Sequence, residues 1–217
     1  MRLVLIGPPG SGKGTQAERL VRRFGAAHIS TGDLFRDAIR RGTPPGLVAG
    51  PLISRGRLAP DALVNEVVAE VFRRPDRPDR FVMDGYPRTY PQAVAFDALL
   101  AQEFLNLTAV VELAAGDDAV VARVGGRRCC TTPGCGLCYH LEFLPPRVPG
   151  TCDRCGGPLA LRDDDREEVV RRRLAEYRGV TTPLLAHYRA RGLLHTVPAL
   201  DPPDVVHANI VGALPPE

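Results

Sequence analysis

The sequence predicts an α/β fold: a parallel sheet covered on both faces by helices, with smaller segments inserted between its repeating units. Short apolar runs rich in β-branched residues alternate with longer stretches of helical period. A glycine-rich turn joins the first apolar run directly to the first helix, which is how a βα unit opens. A third observation marks an insertion. Residues 127–161 hold all six cysteines, many prolines and glycines, and little helical period.

The elements follow in order. Residues 3–6 read as a buried strand, and after the Gly/Pro-rich turn Lys13–Phe24 carries a helical pattern. Ser30, Thr31, Gly32 and Asp33 form a capping cluster ahead of Leu34, Phe35 and Ile39, with Thr31 a candidate N-cap. The segment 42–60 is dense in Gly and Pro and reads as turns joining short helices. Asp61–Phe72 reads as a helix, residues 73–80 as an Arg/Pro/Asp linker, and residues 81–83 as a second buried strand ending at Asp84 and Gly85. Residues 91–102 read as helix and 108–113 as a third strand; a helix starts at Asp117 and ends near Gly125 and Gly126. Beyond the cysteine-rich segment, Asp163, Asp164 and Asp165 cap a long helix expected to bend near Thr181, Thr182 and Pro183. Residues 193–197 are a last strand and 203–214 a last helix. Sequential strands alternating with helices imply parallel pairing.

The chain of 217 residues suits one core carrying small insertions. With 44% hydrophobic and 24% charged residues, an ordinary buried core is expected. A net charge of +3 is too small to imply a nucleic-acid partner. Aromatics are only 6%, and acids interleave the arginines, which argues against a nucleic-acid-binding zinc ribbon. No apolar run reaches membrane-spanning length, and no targeting segment is visible, so a soluble cytoplasmic protein with no membrane partner is expected.

The strongest chemical signal is the run Gly7-Pro8-Pro9-Gly10-Ser11-Gly12-Lys13-Gly14-Thr15. Glycines let successive backbone N–H groups converge on one anion, and the following helix adds its positive end. Lys13 suits the outer phosphates of a nucleotide, and the Thr15 hydroxyl lies near where magnesium would sit. Lys13 is also the only lysine among 28 basic Lys and Arg residues, so a compact ammonium is wanted at that place. Gly14 stands where the general pattern has Ser or Thr. Asp84, ending an apolar strand, suits a magnesium ion or its waters opposite Lys13. Arg88 offers a planar fork to phosphate, and Gln92 an amide to a base edge.

Together GPPGSGKGT, STGDLFR and FVMDGYPRTYPQ resemble the adenylate kinase family, in order and through nearly the whole chain. The resemblance implies a P-loop NTPase fold, with 1–29, 60–125 and 166–217 forming the core. Residues 30–59 would form an AMP-binding subdomain and 126–165 a zinc-bearing lid. It implies reversible phosphoryl transfer from Mg-ATP to AMP, giving two ADP and balancing adenine nucleotides, by a monomer. By matched position, Gly10, Ser11, Gly12, Lys13, Gly14, Thr15, Arg123, Arg127, Cys138 and Tyr139 would bind ATP. Thr31, Arg36, Arg57, Leu58, Ala59, Gly85, Tyr86, Pro87, Arg88, Gln92, Arg162 and Arg173 would bind AMP. Lys13, Asp84, Arg88, Arg127, Arg162 and Arg173 would carry the transfer. A UMP/CMP or other monophosphate kinase is the alternative within the same chemistry; the long cysteine-bearing segment and Gln92 favour AMP.

Clustered cysteine pairs followed by glycine fit zinc knuckles, where a turn aims two thiolates at one ion; disulfides are the competing reading, disfavoured because nothing in the sequence suggests export. Cys152 and Cys155 form one pair, and Cys135 before Gly136 mirrors Cys155 before Gly156. The fourth ligand is Cys130 or Cys138 on spacing. The resemblance favours Cys130, just after Gly126-Arg127-Arg128. Four thiolates leave no open position, so such a zinc would be structural.

Arg171 and Arg172 follow Glu167 and Glu168 by four residues and read as exposed helix pairs. Arg173 falls on the apolar side, where a charge needs an anionic partner. The resemblance has Arg123 covering adenine, Arg127 reaching ATP phosphates, Arg162 and Arg173 bridging donor and acceptor, and Asp164 and Asp165 acting as closing contacts. The stretch Val197 to Asp201 lacks the Asp-Gly pair usual in the family, which leaves the adenine contact near Leu200 open.

Overall fold

The computed structural model describes residues 1–216. Its main sheet has five parallel strands in the order β2-β3-β1-β4-β8: Arg2–Ile6 (β1), Ala27–Ser30 (β2), Phe81–Asp84 (β3), Ala109–Ala114 (β4) and Leu194–Pro198 (β8). Alternation along β1 builds both faces of the core. Val4 and Ile6 join Phe35, Phe72, Phe96 and Leu184 on one side. Leu3 and Leu5 join Ala17, Leu20, Val206 and Ile210 on the other. The expected doubly covered parallel sheet is what forms.

Helices Lys13–Phe24 (α1) and Pro203–Ala213 (α8) cover the second face, while Asp61–Phe72 (α4), Tyr90–Gln102 (α5) and Glu167–Ala190 (α7) cover the first. Thr31–Arg41 (α2) and Pro44–Ile53 (α3) pack against each other beside α4. Asp117–Gly125 (α6) packs on α7 through Val120, Val124, Val170 and Leu174. A separate antiparallel sheet, β6-β5-β7, is made of Arg127–Cys130 (β5), Cys138–His140 (β6) and Leu159–Ala160 (β7). It holds the cysteines.

Three local expectations are corrected. Strand β2 was not foreseen: of Ala27, His28, Ile29 and Ser30 only Ile29 is buried, and an edge strand that short carries almost no period. As expected of short helices joined by turns, residues 44–53 form one helix. Pro44 and Pro45 sit in its first turn, where proline is tolerated, and Gly46 lets α3 press on α2, since a Cβ there would lie 2.3 Å from Ala38 backbone atoms. The α2 N-cap is Ser30, whose Oγ accepts from Asp33 N, not Thr31. Asp163–Asp165 form a short 3-10 turn instead of capping the long helix: α7 runs from Glu167 to Ala190, with Arg166 at its N-cap and Pro183 inside it.

Strand ends position the site. Strands β1, β2 and β3 are parallel, and Asp84 lies in register between Leu5 and Ser30. The loop after β1, the start of α2 and the turn after β3 therefore meet at one sheet edge, where open α/β sheets bind ligands.

Candidate active site

The loop between β1 and α1 curls because Gly10 and Gly12 have φ of 77° and 92°, a region L side chains rarely enter. Gly12 is the N-cap of α1, so the helix's first N–H groups face the loop. Lys13 Nζ folds back across it, donating to Gly7 O at 2.8 Å and Pro8 O at 2.9 Å. Burial pushes the Lys13 ammonium down to about 7, with the Asp84 charge opposing that shift. Asp84 Oδ2 faces the loop at Gly14, 3.8 Å from where a Cβ would stand. Burial resists ionising Asp84, but the neighbouring His28 ring and the Lys13 charge hold its carboxyl below the usual range. Thr15 is exposed at the start of α1 and Ser11 is buried within the loop.

The turn after β3 organises the next set around one carbonyl. Gly85 O accepts from Thr31 Oγ1 at 2.9 Å and from Arg88 Nε at 2.8 Å. Burial and the Arg173 charge lower Arg88 to about 10, as expected of guanidinium groups crowded without enough anions. Gln92 is buried with its amide already engaged: Nε2 donates to Asp61 Oδ1 at 2.7 Å, and Oε1 accepts from Arg88 N at 2.7 Å. Asp61 was missed in the sequence, where it reads only as a helix start. Tyr86 is turned away, into the core, and its hydroxyl donates to Asn65 Oδ1 at 2.8 Å.

One cavity joins these groups. Lys13, Thr31, Arg36, Arg88 and Gln92 line it together with Arg57, Leu58, Ala59, Gly85 and Pro87. Arg173, Asp164 and Tyr177 close another wall. Arg36 pairs with Asp33 at 2.6 Å. Arg173 Nη1 donates to Asp164 O at 2.9 Å and to Asp164 Oδ2 at 3.0 Å, the anionic partner its apolar position required.

Arg127 and Arg162 stand beside this cavity rather than in its wall. Arg127 grips the fully buried Asp165 carboxylate with two hydrogen bonds. Arg162 Nη2 lies 3.0 Å from Cys138 Sγ, and burial with the Arg36 and Arg127 charges lowers it to about 10. Arg123 donates to Ala199 O at 2.8 Å and Leu200 O at 3.3 Å, an anchoring that no sequence signal indicated. Arg172 differs from the expected helix pair: its Nη1 donates to Arg55 O at 2.8 Å, whereas Arg171 does reach Glu167.

In the small sheet, Cys130, Cys135, Cys152 and Cys155 turn their sulfur atoms together, all within 4.8 Å of one another. Two of the pairs, Cys130–Cys155 and Cys135–Cys152, are 3.5 and 3.6 Å apart. A tetrahedral zinc with Zn–S near 2.3 Å sets its sulfurs about 3.8 Å apart, so the set fits that ion. Cys138, the other possibility on spacing, is instead joined to Cys129 in a disulfide. Tyr139 is buried against the cluster, its hydroxyl accepting from Asp153 N at 2.7 Å.

Residues 5–193 match the family model for adenylate kinase. The chain is similar to the adenylate kinase of Syntrophotalea carbinolica, 46% identical over 214 residues, covering 99% of this chain and 98% of the relative. It is also similar to the adenylate kinases of Symbiobacterium thermophilum (47%, with 99% and 98% covered) and Moorella thermoacetica (48% over 197 residues, with 91% and 90% covered).

Proposed function

The chain belongs to the adenylate kinase family and transfers phosphoryl groups between ATP and AMP, and from that premise we propose how its residues divide the work. The observation carrying the proposal is the shared cavity, which gathers Lys13, Arg88 and Arg173 with the Thr31, Arg36 and 57–59 wall. ATP occupies the side of the Gly7–Thr15 loop, its phosphates taking the N–H groups of the loop and the Lys13 ammonium. AMP occupies the side of Thr31, Arg36, Gly85 and Arg88, its phosphate on the Arg88 fork. Arg123 packs over the adenine of ATP.

Phosphoryl transfer needs alignment and neutralisation of charge more than covalent help. Arg88 and Arg173 already face the gap between the two sides, and Arg127 and Arg162 stand next to it. Residues 126–165 act as the lid over the core of 1–29, 60–125 and 166–217, and residues 30–59 as the AMP-binding unit. Lid closure excludes the water that would otherwise accept the phosphoryl group. Asp164 and Asp165 hold Arg173 and Arg127 ready for that step. Magnesium, arriving with ATP, neutralises phosphate charge; Asp84 and the Thr15 hydroxyl are the groups here that would hold it or its waters. Zinc on Cys130, Cys135, Cys152 and Cys155 is structural and supplies the lid with a rigid base. No helix among the described residues is long and apolar enough to cross a membrane; a cytoplasmic monomer without nucleic-acid partner fits this reading.

The test is coupled measurement of ADP formation from ATP with AMP, CMP, UMP or GMP as acceptor. AMP is expected to be used far better than the rest. A preference for CMP or UMP would overturn the assignment of the Gln92 side to adenine.

A further inference from the structure

We propose that Cys129 and Cys138 form a reversible thiol–disulfide site in the lid, whose redox state sets the position of Arg162. The site is distinct from the four-sulfur cluster, which uses none of its atoms. Small dithiols and disulfides are its reaction partners. The argument rests on strand register. Cys129 of β5 lies directly opposite Cys138 of β6. Cys130 N donates to Leu137 O, so the neighbouring 129–138 pair is the non-hydrogen-bonded kind, in which side chains approach most closely. The fold alone brings these two sulfurs together, on spacing that metal ligation does not use.

The pair is wired to the site through Arg162, whose Nη2 touches Cys138 Sγ at 3.0 Å. Strand β5 also carries Arg127 at its start and Cys130 at its end. When the disulfide is reduced, the two sulfurs must retreat to non-bonded separation. Cys129 is 4% exposed and packed, so Cys138 gives way, and the atom it presses on is the guanidinium of Arg162. In cytoplasm, disulfides are more often switches than staples.

The exchange balances. In reduction, the thiolate of a dithiol attacks the more accessible Cys138 sulfur, the Cys129–Cys138 bond breaks, and Cys129 leaves as a thiol after taking a proton. The second thiol of the reductant then attacks the mixed disulfide, releasing Cys138 as a thiol and closing the reductant's own disulfide. Oxidation is the reverse, with two protein thiols oxidised and one small disulfide reduced.

The effect on turnover rests on the reading of Arg162 as a phosphate-bridging residue, and the experiment separates the two. The full chain is equilibrated with oxidised or reduced dithiothreitol, then assayed for the 129–138 link by peptide mass mapping, for zinc, and for kcat and KM. The expected result is a link that opens under mild reduction with zinc retained. kcat should then fall about threefold or more, with nucleotide KM values changing less, and recover on reoxidation. Cys129→Val, or Cys129→Ser if the first folds poorly, should give a kcat that ignores the redox treatment. Arg162→Lys should form the link but lose the redox response. Finding no link, a response that tracks zinc loss, an unchanged kcat in reduced wild type, or a persisting response in either substituted chain would overturn the proposal. Wild-type kcat in Arg162→Lys would count instead against Arg162's role at the phosphates, with the link still read independently by mass.

Discussion

His28 Nε2 on strand β2 lies 3.8 Å from Asp84 Oδ2 on strand β3, behind the loop that Lys13 crosses. The adjacent Asp84 carboxylate raises His28 above its usual value of 6.5, against the opposing effect of burial. A folded-state pKa raised above the unfolded one stabilises fully below the unfolded value and is lost as pH rises through the folded value. Asp84, held low, stays ionised until strongly acid pH. His28→Gln should therefore lower the melting temperature more at about pH 5.5 than at about pH 9, where the ring is neutral in both states. Thermal melts of both chains at the two pH values check this; an equal drop at both would remove the ion pair.

The Lys13 ammonium, pushed to about 7 by burial, meets a polyanion when ATP binds. Phosphate charge at hydrogen-bond distance favours the protonated form, so the pKa must rise on binding. ATP binding at about pH 8 should then take up a proton, seen as a buffer-dependent heat in titration calorimetry. Lys13→Met should abolish that uptake and cut kcat by at least about 100-fold, the scale of losing a charged donor to a transition state. Undiminished turnover in Lys13→Met would sink the whole assignment of the loop.

Metal content gives a third check. Purified protein should carry about one zinc per chain, and Cys135→Ser or Cys155→Ser should lose most of it. Removal by a chelator should lower the melting temperature by several degrees or more while leaving the far-sheet core folded, since the small sheet has only Cys130, Tyr139 and Cys152 as its buried cluster. Cys138→Ser should keep its zinc, because that sulfur is committed to Cys129.

Arg127 and Asp165 offer a stability prediction. The Asp165 side chain is 0% exposed, and beyond Arg127 its nearest cation is Arg173 at 3.9 Å. Arg127→Ala leaves that carboxylate buried with one distant partner, which should cost about 3–5 kcal/mol in urea unfolding. Arg127→Ala combined with Asp165→Ala should recover part of the loss, because the stranded charge is gone.

The parts of this molecule that were legible in the sequence share one physical property: the signal is local. The Gly7–Thr15 loop needs glycines at fixed offsets, and strand β1 before it is a run of buried residues from Leu3 to Ile6, so both can be read from neighbouring letters. The cysteine set is legible for the same reason, down to a choice between two candidates. What was not legible depends on register between distant segments. Strand β2 has one buried residue in four and exists because β3 offers it an edge. Asp61 engages Gln92 across 31 positions, and the His28 ring comes within 3.8 Å of the Asp84 carboxylate only because β2 and β3 run side by side, with Asp84 opposite Ser30 two residues further on. The Cys129–Cys138 pair separates the fourth sulfur ligand from its rival by strand pairing alone, which spacing cannot express.

Arg123 carries the last prediction. Its guanidinium donates to Ala199 O and Leu200 O, so α6 is tied to the turn after β8, and under the proposed function the same side chain packs over the adenine of ATP. Those two carbonyls fix the orientation of a guanidinium that is planar by resonance, and a fixed planar cation is suited to stacking on a base. Arg123→Ala removes both the stacking surface and the tie. Arg123→Lys restores the charge without the plane. If stacking dominates, both substitutions should raise KM for ATP, by about tenfold or more for alanine, with KM for AMP nearly unchanged. If the tie alone matters, lysine should rescue most of the effect by reaching one carbonyl. Steady-state kinetics with each nucleotide varied in turn separates the two, and an equal rise in both KM values would place Arg123 outside the ATP side altogether.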